Sequence, residues 1–248
     1  MRKKAIILAA GMGTRLKPLT LNYHKCLTEI HGTPILLNAL QKLEKYGVEQ
    51  VTLVVGYLKE QIYEKIGLSF GKMQVVYAEN DAFEQTNTAW SLKLGLEQTQ
   101  GYDELYLLEG DVFFEQSILE RFQSEHAPNA TILEAWNPNL DGTFVELGKD
   151  GYVIEWTHKS RRPQGYTVKD KLKTVNIHRF CWDFVQNRLI QNLQSTLDLS
   201  PHTASFEMVM ERLVRAEPRQ VKGIVLQGEK WFEIDDAKDL QKAELLFS

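Results

Sequence analysis

A glycine-rich segment near the N-terminus has the residue types needed to bind a phosphate group. Gly11 and Gly13 directly follow an apolar run, and the cations Arg15 and Lys25 come shortly afterwards. Glycines let backbone N–H groups approach a phosphate closely because they have no Cβ atom in the way. The two cations add positive charge, so we expect this loop to bind an anionic ligand.

Two familiar phosphate loops do not fit this segment. A Walker A loop requires a second glycine and a lysine at a set spacing, and neither follows Gly11 or Gly13 at that spacing. The dinucleotide fingerprint requires a third small residue where Leu16 stands, and an acidic residue where the sequence has Gly56 and Tyr57. Both of these readings are therefore disfavoured.

Two aspartates follow apolar segments that are far apart in the chain. Asp111 comes after the apolar run at residues 104–109, and Asp235 follows another short apolar run. Ligands of open α/β sheets bind at the carboxyl ends of strands, and Mg²⁺ is held by one or two carboxylates together with substrate phosphates. The alternative is that such an aspartate caps the next helix, which is the role we favour for Asp236.

The elements that must position these residues alternate between strand and helix in the first half of the chain. Short apolar runs separated by amphipathic ones predict strands over residues 5–10, 50–56, 73–78 and 104–109 and helices over residues 34–46, 60–66 and 87–97. This order is typical of βα units that pack helices on a mainly parallel sheet. We predict an α/β fold with a Rossmann-like, open, mainly parallel mixed sheet and helices on both faces.

After residue 111 the pattern becomes rich in β-strand signals. Strands are predicted over residues 131–136, 143–147, 152–156 and 174–180, with turns at Asp141-Gly142 and Asp150-Gly151. They form a small β-rich insert, and helices are predicted over residues 182–193, 206–215 and 237–246. Residues 158–173 carry six Lys or Arg and one Asp, which predicts a mobile surface loop.

The composition excludes several classes of protein. The chain has 248 residues, is 43% hydrophobic and has a net charge of −4, which disfavours a nucleic-acid-binding protein. No apolar stretch approaches 18 residues, so no membrane span is expected. Cys26 and Cys181 have no pairing motif, which predicts buried thiols in a reduced, cytoplasmic protein.

The loop and several later motifs resemble one enzyme superfamily. Residues 8–20, LAAGMGTRLKPLT, are similar to the signature of the nucleotidyltransferase superfamily, which includes sugar-phosphate nucleotidylyltransferases and small-molecule cytidylyltransferases. The resemblance continues through residues 56–58, 86–87, 109–111 and 231–236, and so spans nearly the whole chain. Residues 173–177 and the C-terminal motif look most like the phosphocholine and phosphonate cytidylyltransferase branch.

The resemblance implies a fold, a reaction and a set of site residues. The fold is that of nucleotide-diphospho-sugar transferases, in one domain over residues 1–248, with a nucleotide-binding half (1–111) and an acceptor-binding half (112–248). The reaction is Mg²⁺-dependent transfer of CMP from CTP to a small phosphorylated or phosphonate acceptor, with release of pyrophosphate. Arg15 and Lys25 are the implied catalytic residues, and Asp111 and Asp235 the implied metal ligands. The implied nucleotide-binding residues are Leu8, Ala9, Ala10, Gly11, Gly13, Thr14, Arg15, Asn87 and Gly110.

The sequence leaves two hypotheses for the chemical class of the acceptor. Trp136 and Trp231, with other aromatic residues, are candidates for a cage around a quaternary ammonium such as choline, although a tryptophan in a β-rich segment more often packs in the core. Asn176 and Glu207 are candidates to meet the amine of a small amino-phosphonate.

The sequence departs from the family pattern at two positions, and two rival functions stay open. His24 stands where the family usually has a proline before the lysine, and Thr88 where this branch often has a second asparagine. One rival is a sugar 1-phosphate nucleotidylyltransferase that uses UTP or dTTP. The other is a nucleotide-sensing module of the same fold, without turnover. A lid function for residues 158–173 is a further possibility.

Overall fold

The computed structural model describes residues 1–248, in which fourteen strands and eight α-helices alternate. The strands are β1 (Lys3–Ala9), β2 (Glu29–Ile30), β3 (Thr33–Pro34), β4 (Gln50–Val55), β5 (Ser69–Phe70), β6 (Met73–Glu79), β7 (Glu104–Glu109), β8 (Val112–Phe114), β9 (Ala130–Ala135), β10 (Phe144–Leu147), β11 (Val153–Thr157), β12 (Leu172–Cys181), β13 (Lys222–Val225) and β14 (Trp231–Glu233). The helices are α1 (Ile35–Lys45), α2 (Lys59–Ile66), α3 (Thr88–Gln98), α4 (Gln116–Glu120), α5 (Trp182–Phe184), α6 (Ile190–Leu199), α7 (Phe206–Ala216) and α8 (Ala237–Leu246).

Ten of the strands form one mixed sheet. Its order is β11-β10-β12-β7-β1-β4-β6-β5, with β9 paired to both β12 and β13. The central strands β7, β1, β4 and β6 are parallel, whereas β12 and β5 run antiparallel to their neighbours at the two sides of this group. The predicted α/β class with an open mixed sheet is confirmed.

Helices cover both faces of the sheet because side chains of a strand alternate between its faces. In β1, Ala5, Ile7 and Ala9 belong to a hydrophobic core that also contains residues of α1, α2 and α4. Ile6 and Leu8 belong to a second core with residues of α3 and α7. Both faces of β1 are therefore buried, which explains its unbroken apolar sequence.

The β-rich segment continues the same sheet through β9 to β12. The pairing of β12 with β9 shifts register between Thr174 and His178, and Asn176 there has a φ of 63°. Such a bulge changes the direction in which a side chain points. It marks the part of β12 that lies next to the end of β7.

Two other segments differ in detail from the sequence predictions. The helix predicted over residues 182–193 is instead α5, a π-helical turn at Val185–Leu189, and then α6, which extends to Leu199. The segment 158–173 includes a short 3₁₀ turn, and Arg162 and Lys171 form ion pairs at 3.1 and 3.0 Å with Asp141 and Glu155. Its role as a lid stays a prediction, as does the division of the chain into two halves.

Three smaller predictions can be compared directly with the structure. Cys26 is buried as expected, but the prediction for Cys181 is wrong, because this residue is half-buried at the end of β12. Asp236 caps α8 as predicted, since its carboxylate accepts N–H groups of Lys238 and Asp239 at 2.8 and 3.0 Å. None of the helices combines the length and apolarity needed to cross a membrane.

Candidate active site

A cleft of about 160 Å³ opens at the carboxyl ends of the central strands. β1 and β7 are parallel neighbours with Leu8 opposite Glu109, so the loops that follow both strands meet at this edge. β1 has β4 on one side and β7 on the other, so the chain order of the strands reverses at β1. Such a reversal leaves a crevice in which ligands bind. The cleft is lined by Leu8, Ala9, Ala10, Gly11, Gly13, Lys25, Cys26, Asn80, Phe83, Thr86, Asn87, Thr88, Ser91, Glu109, Gly110 and Asp111.

Glycine stands at positions 11 and 13 of the loop for different structural reasons. Gly13 has a φ of 57°, and a Cβ atom there would lie 2.8 Å from the Cβ of Lys25. Gly11 has open space around it, with no atom within 4 Å of the position of a Cβ. Gly13 is therefore required by the fold of the loop, whereas Gly11 leaves room for a ligand beside the backbone.

A buried histidine holds the turn that carries Lys25. His24 is fully buried, and its Nδ1 accepts the N–H of Cys26 at 3.1 Å. Its Nε2 lies 3.1 Å from the carbonyl oxygen of Ala9, so the proton is on Nε2 and is donated to that oxygen. Burial lowers the pKa of His24 to about 4, which keeps the ring neutral. His24 thus connects this turn to the end of β1.

Lys25 lies between the two aspartates that the sequence analysis singled out. Its Nζ is 2.7 Å from Asp111 Oδ2 and 3.2 Å from Asp235 Oδ1, and Arg15 Nη2 is also 2.7 Å from Asp235 Oδ1. Burial acts to lower the pKa of Lys25, but the carboxylates of Asp111 and Asp235 outweigh it and raise the pKa above its ordinary value. The structure therefore brings all four predicted charged residues together.

The pairing of β8 with β14 explains why Asp235 reaches Asp111. These two short strands are antiparallel, with Glu233 opposite Val112, and the N–H of Ile234 donates to the carbonyl oxygen of Asp111 at 3.0 Å. The pair is separated by more than a hundred residues in sequence, so local patterns carry no information about this contact. The ribbon formed by β8 and β14 is the element that assembles the acidic site.

The acidic residues of the site fit a magnesium ion. Glu109, Asp111 and Glu233 each offer a carboxylate oxygen, and these oxygens lie within 4.8 Å of one another. Oδ1 of Asp111 is buried and has no hydrogen-bond partner, which leaves it available as a ligand. Mg²⁺ prefers such oxygen ligands. Asp235 is not one of these three residues, and its Oδ1 lies 3.2 Å from the Nζ of Lys25, which also contacts Asp111.

Sequence reasoning did not assign roles to Glu109 and Glu233. Each precedes a predicted metal-binding aspartate by two residues. Alternate residues of an extended chain point to the same side, so this spacing could have indicated that both glutamates belong to the site. Burial, and then the neighbouring acids, beginning with Glu207, raises the pKa of Glu109. Burial also raises the pKa of Glu233, against the opposing effect of Lys173, whose Nζ is 3.1 Å away.

The predicted acceptor-binding residues have different surroundings. Nδ2 of Asn176 donates to Glu109 Oε2 at 3.1 Å, and Glu207, in the first turn of α7, is in contact with the Glu109 carboxyl group. Trp231 is buried, with its indole N–H 3.1 Å from Glu134 and Lys173 Nζ 5.8 Å from its ring centroid.

Several predicted residues do not line the cleft. Trp136 is half-buried after β9 and is not among the lining residues, and Thr14 and Arg15 lie outside them as well. Arg15 nevertheless reaches the site through Asp235. Asn176 and Glu207 reach it through Glu109.

The side of the cleft opposite the glycine loop includes polar residues that the sequence analysis did not name. Asn80 directly follows β6, and its Nδ2 donates to Thr86 Oγ1 and Ser91 Oγ at 3.1 Å each. Its position directly after a parallel strand could have predicted that it lines the cleft. Asn87, predicted to bind the nucleotide, caps α3 by accepting the N–H of Thr88 at 2.8 Å.

Comparison with known proteins identifies a family and several relatives of this chain. Residues 4–245 match the family model "Nucleotidyl transferase". The chain is 30% identical over 247 residues to the CMP-5'-(3-aminopropyl)phosphonate synthase of Streptomyces rubellomurinus, covering 99% of this chain and 39% of the relative. It is 25% identical over 247 residues to the choline-phosphate cytidylyltransferase of Streptococcus pneumoniae, covering 97% and 96% of the two chains.

A solved structure has the same fold. The CTP:phosphocholine cytidylyltransferase of Streptococcus pneumoniae superposes with a TM-score of 0.77 at 22% identity, covering 100% of both chains. The chain spans 39% of the length of the phosphonate synthase, and 54% and 62% of the length of two further curated relatives.

Proposed function

Because the chain belongs to the nucleotidyl transferase family, we propose that it is a Mg²⁺-dependent cytidylyltransferase acting on a small acceptor. It transfers CMP from CTP to an acceptor phosphate or phosphonate of the phosphocholine or 2-aminoethylphosphonate type. The observation that carries the proposal is the position of Lys25, which lies between Asp111 and Asp235 and also lines the cleft with the glycine loop. The preference for CTP is supported by the names of two relatives, one of which is a synthase of a CMP-linked phosphonate and the other a cytidylyltransferase.

The reaction is a displacement at the α-phosphorus of the nucleotide. A lone pair of an acceptor oxygen forms the new bond to this phosphorus, and the bond to the β-phosphate oxygen breaks, so the electron pair leaves with pyrophosphate. The acceptor oxygen is already anionic near neutral pH and needs no general base. The barrier comes from bringing two anions together and from charge that develops on the transferred group, which cations and N–H donors stabilise.

The residues of the cleft supply those cations and donors. Lys25, a compact charge held by the His24 turn, contacts the α-phosphate and the incoming acceptor oxygen. Arg15 is largely exposed, although its Nη2 pairs with Asp235 at 2.7 Å. Its planar guanidinium suits bidentate contacts with the β- and γ-phosphates. Backbone N–H groups near Gly11 hold the phosphates.

Asp111 would hold the magnesium ion through its unpaired Oδ1. Asp235, which is joined to Asp111 through Lys25 Nζ, is the second ligand that the family resemblance implies. When bound, the ion supplies positive charge to the phosphate oxygens. The carboxylates also keep the ammonium of Lys25 at the mouth of the cleft. Removing this lysine leaves Asp111 without its cation, whereas Asp235 keeps Arg15.

The direct test is pyrophosphate release in the presence of Mg²⁺. CTP, UTP, ATP, GTP and dTTP are each combined with phosphocholine, 2-aminoethylphosphonate and several hexose 1-phosphates. We expect release with CTP and a small acceptor. Release only with UTP or dTTP and a sugar phosphate would contradict the proposal in favour of a sugar 1-phosphate nucleotidylyltransferase. Nucleotide binding without release for any pair would contradict it in favour of a sensing module.

A further inference from the structure

A second cleft, of about 110 Å³, is separate from the active-site cleft. It opens between α6, α7 and the short turn at residues 159–161, and it shares no lining residue with the active-site cleft. Its volume accommodates several water molecules or one small ion. The side chains that line it determine which ligand fits.

The lining of this second cleft is positively charged. Arg161 comes from the turn, and Arg212 and Arg215 lie on the same face of α7, one helical turn apart. Glu211 is the one acidic residue of the lining. Three arginines against one glutamate leave two uncompensated positive charges when Glu211 is ionised and three when it is protonated, because arginine keeps its proton. The cleft is therefore cationic in either protonation state of Glu211.

Glu211 holds two of the arginines in place. Its side chain is buried, and its carboxylate oxygens face different guanidinium groups, with Oε1 3.0 Å from Arg215 Nη2 and Oε2 3.5 Å from Arg161 Nη1. A guanidinium group has five N–H donors, so one contact leaves several of them free. Glu211 thus fixes the turn relative to α7 while both arginines keep donors for a ligand.

Arg212 has no partner within the chain. Its side chain is exposed, has no carboxylate within ion-pair distance and donates no hydrogen bond to another residue. The dipole of α7 favours a cation in its last turn, where Arg215 lies, but it does not account for Arg161, which comes from a different segment. A single exposed arginine is an ordinary surface residue. Three that line one cleft, from two segments of the chain, indicate an anionic ligand.

We propose that the arginine cleft, defined by Arg161, Arg212 and Arg215, binds a small dianion with a phosphoryl or phosphonyl group. Such a group carries about two negative charges, which match the uncompensated charge of the cleft. Its oxygens accept paired N–H groups from the planar guanidinium forks. The proposal is independent of the proposed function, because it uses none of the active-site residues.

Two other classes of anion match the arginine cleft less well. A carboxylate carries a single charge, so one positive charge of the cleft would stay uncompensated. A nucleic acid is held by many phosphate contacts along an extended cationic surface. The arginine cleft is small, and the chain as a whole has a net charge of −4.

Helix α7 separates the arginine cleft from the active site. Its first residue, Phe206, donates its N–H to Thr88 Oγ1 at 2.8 Å, and Thr88 lines the active-site cleft. Arg212 lies further along the same helix, about 9 Å from Phe206 along the helix axis. A phosphate bound at the arginine cleft is therefore distinct from one bound at Lys25, and substitutions can tell the two sites apart.

The test is calorimetric titration of inorganic phosphate into the parent protein and its variants. Arg212→Ala should weaken phosphate binding by about 10- to 100-fold, the effect of losing hydrogen bonds to a charged group. Arg212→Lys should recover part of the affinity, because it keeps the charge but not the planar fork. Arg188→Ala is the matched control, since it removes an exposed arginine that pairs with Glu217 at 2.8 Å and does not line the cleft. Lys25→Ala should leave this binding site intact.

Methylphosphonate and acetate test the chemical class of the ligand. Methylphosphonate should bind the parent and lose affinity in Arg212→Ala as phosphate does, whereas acetate should bind the parent more weakly than either. Tighter binding of phosphate than of methylphosphonate identifies a free ion as the preferred ligand, and the reverse order identifies the end of an organic molecule. Both orders support the proposal.

Four results would overturn the proposal. The first is that the parent binds no phosphate. The second is that phosphate affinity falls in Lys25→Ala and stays unchanged in Arg212→Ala, because the phosphate site would then be the active-site cleft. The third is an equal loss in Arg188→Ala, which would show a general effect of net charge. The fourth is that acetate binds as tightly as phosphate. The melting temperature of each variant verifies that it is folded.

Discussion

At the scale of single residues, the site is organised by Lys25 and by the histidine before it. A buried ammonium with two carboxylate partners holds Asp111 and Asp235 towards the same point. His24 restrains that ammonium by joining its turn to the carbonyl oxygen of Ala9. The departure from the family pattern at position 24 thus has a structural explanation, because the imidazole makes two hydrogen bonds that a proline ring cannot make.

Lys25→Ala should reduce turnover by orders of magnitude while the fold persists. The physical reason is loss of the cation that meets the α-phosphate and the acceptor. Pyrophosphate release measures the rate, and circular dichroism measures the fold. Lys45→Ala, an exposed residue at the end of α1, is the control. Near-parental turnover in Lys25→Ala would exclude the proposed role of this lysine.

His24→Ala should lower kcat by about tenfold, the effect of losing one or two modest hydrogen bonds that position a catalytic group. KM for the nucleotide should change less, because the glycine loop is retained. His24→Asn, whose side chain is a good cap for the Lys25 turn, should recover part of kcat. If both variants lower only the melting temperature, His24 is structural and does not position Lys25. Exposed His126, replaced by Ala, is the control.

At the scale of elements, the glycine loop and the β8–β14 ribbon do different work. The loop provides the backbone surface of the cleft, and its shape depends on the positive φ of Gly13. The ribbon brings Asp235 to Asp111 and is continuous with α8, whose first turn is closed by the Asp236 capping box. The bulge in β12 adds Asn176. Each element thus contributes one part of the site.

The two loop glycines should respond differently to the same substitution. Gly13→Ala adds a Cβ where Lys25 already lies 2.8 Å away and where φ is 57°, so both stability and turnover should fall. Gly11→Ala meets no atom within 4 Å, so the melting temperature should stay near that of the parent. KM for CTP should nevertheless rise in Gly11→Ala, because the methyl group occupies the phosphate approach. An unchanged KM would show that the phosphates bind elsewhere.

At the scale of the whole molecule, two buried histidines make the free energy of unfolding depend on pH. Burial, with a smaller effect of Lys173, lowers the pKa of His178 to about 3, and His24 has a pKa of about 4. In the unfolded chain both titrate near their ordinary value of about 6.5. Below that pH the unfolded state binds protons that the native state does not, so both groups destabilise the fold progressively as pH falls to the native pKa. The buried carboxyl groups with raised pKa act in the opposite direction.

Comparing variants isolates the histidine contribution. The unfolding free energy of the parent, measured with urea at pH 7.5 and pH 5, should contain a loss of about 2 kcal/mol for each of the two histidines. His178→Asn should therefore show a pH-dependent change that differs from that of the parent by about 2 kcal/mol. His126→Asn removes an exposed histidine and should match the parent. Identical pH dependence in all three proteins would contradict this, because it would mean that His178 titrates at its ordinary pKa in the native state.

The sequence by itself determined the elements and the chemistry carried on each of them. The strand periodicity, the glycines after β1 and the aspartates after two apolar runs are local features, and local sterics and side-chain chemistry specify them. The sequence did not predict the break in the helix within residues 182–199. A π-helical turn such as Val185–Leu189 does not change the spacing of apolar residues enough to be recognised.

Only the tertiary structure decided which of these residues meet. Asp235 reaches Asp111 through a two-stranded ribbon between distant segments. Trp136, which has the right chemistry for a cage, does not line the cleft. Such contacts depend on how the sheet orders its strands, and a linear pattern of residue types does not contain that order. Burial is decided in the same way, and it raises the pKa of Glu109.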